Sequence, residues 1–237
     1  MEYKNYVGIV TYVTIFVFYI FSLKASTEIG KAPANAVHLP KEIKILGQYR
    51  FHFFTVWNFM LQILFLLTAV LDETSKLLDL PVLTRKRLGR TRAFLFNTLV
   101  FPCSLLVVTI FWTIWHIDRE LVLPKILDKV FPLWLNHVMH TIILVPLAVE
   151  LALPKRYNFV RFENAAATLV LYALFYQLQY FSIYLRHGIW LYGIYATLTW
   201  TQRFLFSVFQ LLLLLLFLKI GITIQDSKRI QQPRKIA

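Results

Sequence analysis

Long apolar runs separated by short charged clusters set the frame of this chain. Runs of about 20 mainly apolar residues, the length a helix needs to cross hydrocarbon, recur near 6–23, 51–71, 93–115, 132–153, 164–185 and 195–222. They do not alternate apolar with polar, as a half-buried strand would. Inside a bilayer every main-chain N–H and C=O has to be paired within the protein, which leaves helices as the spanning elements. The expected fold is therefore all-α: a polytopic membrane helical bundle of about six transmembrane helices. No Gly/Ser linker, low-complexity tract or internal repeat divides residues 1–237, so the chain reads as one integral-membrane domain. The first run follows MEYKN and has no small-x-small cleavage site after it, so it reads as a retained span. The fifth, NAAATLVLYALFYQLQYFSIYL, is interrupted by Gln177 and Gln179, and HGIWLYGIYATLTW (187–200) reads as partly re-entrant.

Composition removes the soluble alternative. At 58% hydrophobic and 16% charged, the chain has too little polar surface to cover a water-facing exterior. The net charge of +13 raises nucleic acid as a partner, but the basic residues sit in short connectors such as RKRLGRTR (85–92). That distribution fits membrane topology and contact with anionic lipids, and no nucleic-acid partner is expected. Basic residues lean toward the side of the termini, which are expected to be cytoplasmic, in the plasma membrane or endoplasmic reticulum. A single cysteine, Cys103, allows no intrachain disulfide and forms no thiol metal motif.

Polar residues within the runs are where chemistry is to be sought, because each is costly in hydrocarbon. In FHFFTVWNFMLQILFLL, Thr55, Asn58 and Gln62 stand at i, i+3 and i+7, one helical face. In FPLWLNHVMH, Asn136, His137 and His140 form a second polar set. Both runs enter from the same membrane side, with Thr55 about 6 Å deep and His140 about 12 Å deep, so the two side chains meet if their helices are neighbours. Glu150 lies about 15 Å further along the axis, too far to orient the His140 imidazole directly. A hydroxyl beside an imidazole is the minimal nucleophile–base pair for acyl transfer. Asn58 or Asn136 would then donate to an oxyanion or hold one tautomer of the ring.

Other readings stay open on these residues. A membrane-helix Thr often bonds the carbonyl one turn back, and intramembrane Asn and His often bridge helices. Pro102 and Pro146 read as kinks. Zinc held by His137, His140 and His187 would make a metal-dependent hydrolase, although no carboxylate is obviously close. Haem is disfavoured, since histidines on one helix cannot supply opposite axial ligands. A non-catalytic transporter or lipid-binding regulator would also use a polar-lined cavity, but the runs show no inverted repeat.

The segment FWTIWHIDRELVLPKILDKVFPLWLNHVMHTIILVPLAVE (111–150) carries FW, a DRE-like turn, PK-x-LD, P-x-WLNH-x-MHT, Pro146 and Glu150. LGQYRFHFFTVWNFMLQILF (46–65), FPCSLLVVTIFW (101–112) and GIWLY (188–192) follow the same order. Together these blocks resemble the androgen-induced / androgen-dependent TFPI-regulating family of multi-pass membrane proteins. The resemblance implies a threonine hydrolase of fatty acid esters of hydroxy fatty acids. It places the nucleophile on Thr55 and the base on His140, and calls for a lipid substrate and no cofactor or metal. It assigns His137 no role, and that histidine is expected to help fix local structure or substrate. The chain departs from the family at Leu123-Pro124, where a Tyr-Pro pair is expected, and at Gly193, where proline is usual. Two extra residues precede Thr55.

Overall fold

A computed structural model describes residues 2–29, 39–153 and 160–230. It is helical, with no strand among the described residues. The helices are α1 (Glu2–Ile29), α2 (Lys41–Tyr49), α3 (Phe54–Leu77), α4 (Val82–Leu95), α5 (Phe101–Asp118), α6 (Leu133–His137), α7 (Leu144–Ala152), α8 (Phe162–His187), α9 (Gly193–Thr197) and α10 (Trp200–Ile230). A π-helical segment, Phe96–Val100, joins α4 to α5, and another, Val138–Ile142, joins α6 to α7. Among the described residues these elements make six helices long and apolar enough to cross a membrane, the pattern of a multi-pass membrane protein.

Sidedness of the residues follows from what surrounds them. Phe21, Leu171, Leu178, Leu185, Phe204 and Leu212 point outward and are exposed, the arrangement expected where the neighbour is lipid rather than water. The inward faces form a core in which Tyr12, Tyr19, Phe59, Phe65, Phe96 and Leu135 have almost no accessible surface. α1 and α4 pack on α3, and α10 crosses α5 closely at Gly221. A Cβ there would fall 2.8 Å from the Phe101 ring, so only glycine permits this approach.

One sequence expectation changes. RKRLGRTR is a connector by its charge, yet residues 85–92 belong to α4, which runs into the third span. Its last arginine, Arg92, is buried rather than lipid-facing. It bonds Asp72 at 2.9 Å, Glu73 at 2.6 Å and Glu150 at 2.6 Å, and donates to the Tyr12 hydroxyl at 2.6 Å. Residues 41–49, within a charged connector, form the short helix α2, with Ile43 and Tyr49 buried. The segment read as partly re-entrant, 187–200, holds one short helix, α9. It turns at Gly188, whose φ of +66° suits glycine, then folds α9 against the end of α5. Gly193 lies so close to the Glu120 carbonyl oxygen that a Cβ would stand 2.9 Å from it.

Candidate active site

Thr55 is the second residue of α3, two positions after the extended Phe53 from which the helix starts. This position leaves its hydroxyl near the end of the span, beside the first main-chain N–H groups, which have no intrahelical partner. The Phe54 N–H donates to the Tyr192 hydroxyl at 3.1 Å. Burial of that phenol pushes its pKa above the ordinary tyrosine range, so it stays a hydroxyl at neutral pH.

His140 comes to Thr55 from the broken helix α6–α7. Thr55 Oγ1 and His140 Nε2 are 3.3 Å apart, and both residues are buried. His140 Nδ1 lies 2.9 Å from the Asn136 carbonyl oxygen. A carbonyl only accepts, so Nδ1 carries the hydrogen of the neutral ring, and Nε2 presents its lone pair to the Thr55 hydroxyl. The Phe111 ring stacks on the imidazole with centroids 3.5 Å apart, and Trp112 Nε1 donates to the His140 carbonyl at 3.0 Å. The ring is therefore fixed at one nitrogen, on one face and through its own main chain.

The π turn Val138–Ile142 separates the two histidines. Its wider turn spreads residues three apart around the axis: His140 faces α3, while His137 is exposed. His137 stacks on Trp112 and has its Nδ1 3.3 Å from Thr141 Oγ1, outside the polar chain that reaches Thr55. Nor do His137, His140 and His187 converge as a zinc site would require, because His187 lies against Tyr49. Among the described residues no three His, Cys, Asp or Glu side chains come together in a way that could hold a metal ion.

Below the pair runs a buried chain of polar groups. Tyr19 donates to Gln62 Oε1, and Gln62 Nε2 donates to Ser104 Oγ at 2.7 Å and to the Ile143 carbonyl at 2.8 Å. Ser104 in turn donates to Asn58 Oδ1 at 3.0 Å. Thr55, Asn58 and Gln62 thus share one buried face, as their spacing predicts. Asn58 Nδ2 is left without a partner among the described residues, and so are both side-chain polar atoms of Asn136. Asn136 orients the imidazole through its main chain rather than its amide. Ser104, Phe111 and Tyr192 were not singled out by spacing. Ser104 and Tyr192 stand in FPCSLLVV and GIWLY, where conspicuous neighbours draw the eye first. Glu150 belongs to the Arg92 cluster, away from the imidazole.

Two cavities meet at this point. One of 440 Å³ lies among α5, α8 and α10 and is lined mainly by apolar side chains; the other, of 330 Å³, opens beside His140, α2 and residues 120–131. Thr55, Phe111 and Tyr192 line both. The Thr55 hydroxyl thus stands at the wall between an apolar chamber and a more polar one.

Comparison with known proteins finds relatives of this chain. A family model described as FAR-17a/AIG1-like protein matches residues 7–226. The androgen-dependent TFPI-regulating protein of Mesocricetus auratus is 37% identical over 153 residues, 63% of this chain and 64% of that protein. Its Homo sapiens counterpart is 31% identical over 154 residues, with the same coverage. The Homo sapiens androgen-induced gene 1 protein is 32% identical over 123 residues, 49% of this chain and 51% of that one. The chain thus spans 64% of the length of the androgen-dependent relatives it matches. No solved structure matches.

Proposed function

The chain belongs to the FAR-17a/AIG1-like protein family, and from that premise we propose that it is an intramembrane lipid hydrolase cleaving the branching ester of fatty acid esters of hydroxy fatty acids. Thr55 is the nucleophile and His140 the base. The observation that carries this reading is the 3.3 Å approach of Thr55 Oγ1 to a His140 Nε2 whose other nitrogen is held by the Asn136 carbonyl. Support comes also from the 440 Å³ cavity beside Thr55, of a size and lining suited to acyl chains.

The chemistry proceeds in two halves. His140 Nε2 takes the Thr55 hydroxyl proton as Oγ1 attacks the ester carbonyl carbon, and the resulting oxyanion accepts hydrogen bonds. Asn58 Nδ2, buried and unpartnered, is assigned to that role together with the Tyr192 hydroxyl. As the tetrahedral species collapses, the protonated imidazole gives its proton to the departing alkoxide, which leaves as the hydroxyl of the hydroxy fatty acid. Thr55 then carries the acyl group as an ester. Water loses a proton to His140 and attacks this ester; the fatty acid leaves and Thr55 Oγ1 regains its hydrogen. The reaction consumes one water and needs no metal or redox partner.

Purified Thr55→Ala and His140→Ala proteins, assayed against such a lipid ester in detergent, test the assignment. Both are expected to lose turnover while retaining the wild-type thermal transition. Full turnover by either variant contradicts it. An ester-reactive probe separates this reading from a lipid-binding protein that does not turn over, because only a hydrolase labels at Thr55.

A further inference from the structure

Arg203 is a buried cation that the reaction above does not use. It lies in the first turn of α10, at the same end of the bundle as Thr55, and is 9% exposed. Its guanidinium carbon stands 4.5 Å from the Trp190 ring and 4.7 Å from the Trp200 ring, so indoles cover it. Nε donates to the Tyr195 carbonyl at 2.8 Å. No carboxylate among the described residues pairs with it, and its terminal amino groups make no hydrogen bond there. The other buried arginine among the described residues, Arg92, is neutralised by three carboxylates. A charge left unpaired in a low-dielectric site is costly unless an anion arrives to meet it.

Arg203 lines the 440 Å³ cavity that Thr55 also lines. Tyr176, Tyr180 and Ser207 line it too, and each has a buried hydroxyl without a partner among the described residues. Ser207 is one turn from Arg203 on α10 and so shares its face. A planar guanidinium with hydroxyl donors beside it, set in an otherwise apolar chamber, suits an anion on a hydrocarbon chain, and the carboxylate is the anion that the proposed substrate carries.

We infer that Arg203 anchors the free carboxylate of the substrate, so that the 440 Å³ cavity selects lipid esters that are also acids. This rests on the hydrolase reading and deepens it. The carboxylate of the hydroxy fatty acid half binds at Arg203, its chain lies along the apolar wall, and the branching ester is presented to Thr55. Neutral esters that lack the charge leave the guanidinium unpaired and bind less well.

The test compares the hexadecanoyl ester of a hydroxyoctadecanoic acid with its methyl ester, in which the charge is removed and the branching ester retained. Wild-type protein is expected to favour the free acid by about 10- to 100-fold in kcat/KM, the range for a charge-assisted pair. Arg203→Gln is expected to bring that ratio near one, and Arg203→Lys, which keeps the charge without the planar fork, to fall between. Equal turnover of the two esters by wild type overturns the proposal. So does an Arg203→Gln protein that loses rate on both and keeps the ratio, since that is the mark of a structural role. Binding of hexadecanoic acid and its methyl ester to Thr55→Ala protein separates this inference from the hydrolase reading. Acid-selective binding that Arg203→Gln abolishes supports the anchor even where no ester is turned over. Repeating the measurement with phosphatidylglycerol in the micelle identifies the anion: a preference that vanishes on its addition assigns Arg203 to lipid headgroups and overturns the proposal.

Discussion

At one end of the bundle Arg92 meets Asp72, Glu73, Glu150 and Tyr12, and Lys76 closes the cluster on Asp72 and Glu73. At the other end Arg203 meets two indoles and a carbonyl. Near it, Tyr176, Tyr180 and Ser207 hold side-chain oxygens unpartnered among the described residues. Both regions bury polar groups where hydrocarbon is the surrounding medium, and so both are costly on their own. In the first, the protein supplies the partners, and the cluster ties α1, α3, α4 and α7 together. In the second the groups face cavities, and Thr55 and His140 stand between them. Saturation marks a clasp; unsaturated polar groups beside a cavity mark a place for something else to bind.

The difference can be broken by substitution. Thr55→Ala is expected to have the largest consequence, a loss of at least about a thousandfold in turnover, because removing the nucleophile of such a unit removes the covalent route. Its thermal transition should stay close to wild type. Arg92→Met should do the reverse. Leaving three buried carboxylates without their cation is expected to cost about 3–5 kcal/mol, read as a lower unfolding midpoint in detergent. If Arg92→Met left stability untouched, the clasp would be no clasp.

Smaller effects sharpen the boundary between the two regions. Gln62→Leu strands the Tyr19 hydroxyl, Ser104 and the Ile143 carbonyl, so a loss of about 1–3 kcal/mol in stability is expected. Activity should then fall only through the displaced Asn58, with a smaller change in kcat than Thr55→Ala gives. His137→Ala is expected to stay within about 0.5 kcal/mol of wild type, in keeping with an exposed side chain outside the site. A His137→Ala protein that lost turnover as completely as His140→Ala would refute the division of labour between the two histidines.

The six spans were legible because apolar length alone dictates them. The buried face of α3 was legible because Thr55, Asn58 and Gln62 keep helical phase without interruption. The histidines were less so. Sequence spacing treats residues 136–140 as a regular helix, and nothing in VMHTI announces the π turn that sends His137 outward and His140 inward. Arg92 was legible only as one more basic residue in a basic stretch, since its partners lie 19, 20 and 58 positions away. Arg203 posed the opposite problem. Its meaning lies in the carboxylate it does not meet, and a missing partner leaves no trace in the order of residues.

The central claim is that Thr55 carries the acyl group between the two halves of the reaction. Peptide mapping by mass spectrometry, on wild-type protein quenched during turnover of a fatty acid ester, tests it most directly. The account predicts an acyl adduct on the peptide containing Thr55, absent in Thr55→Ala and strongly reduced in His140→Ala. Hydrolysis that continues with no acyl group on Thr55, or with the adduct on a different residue, would contradict it.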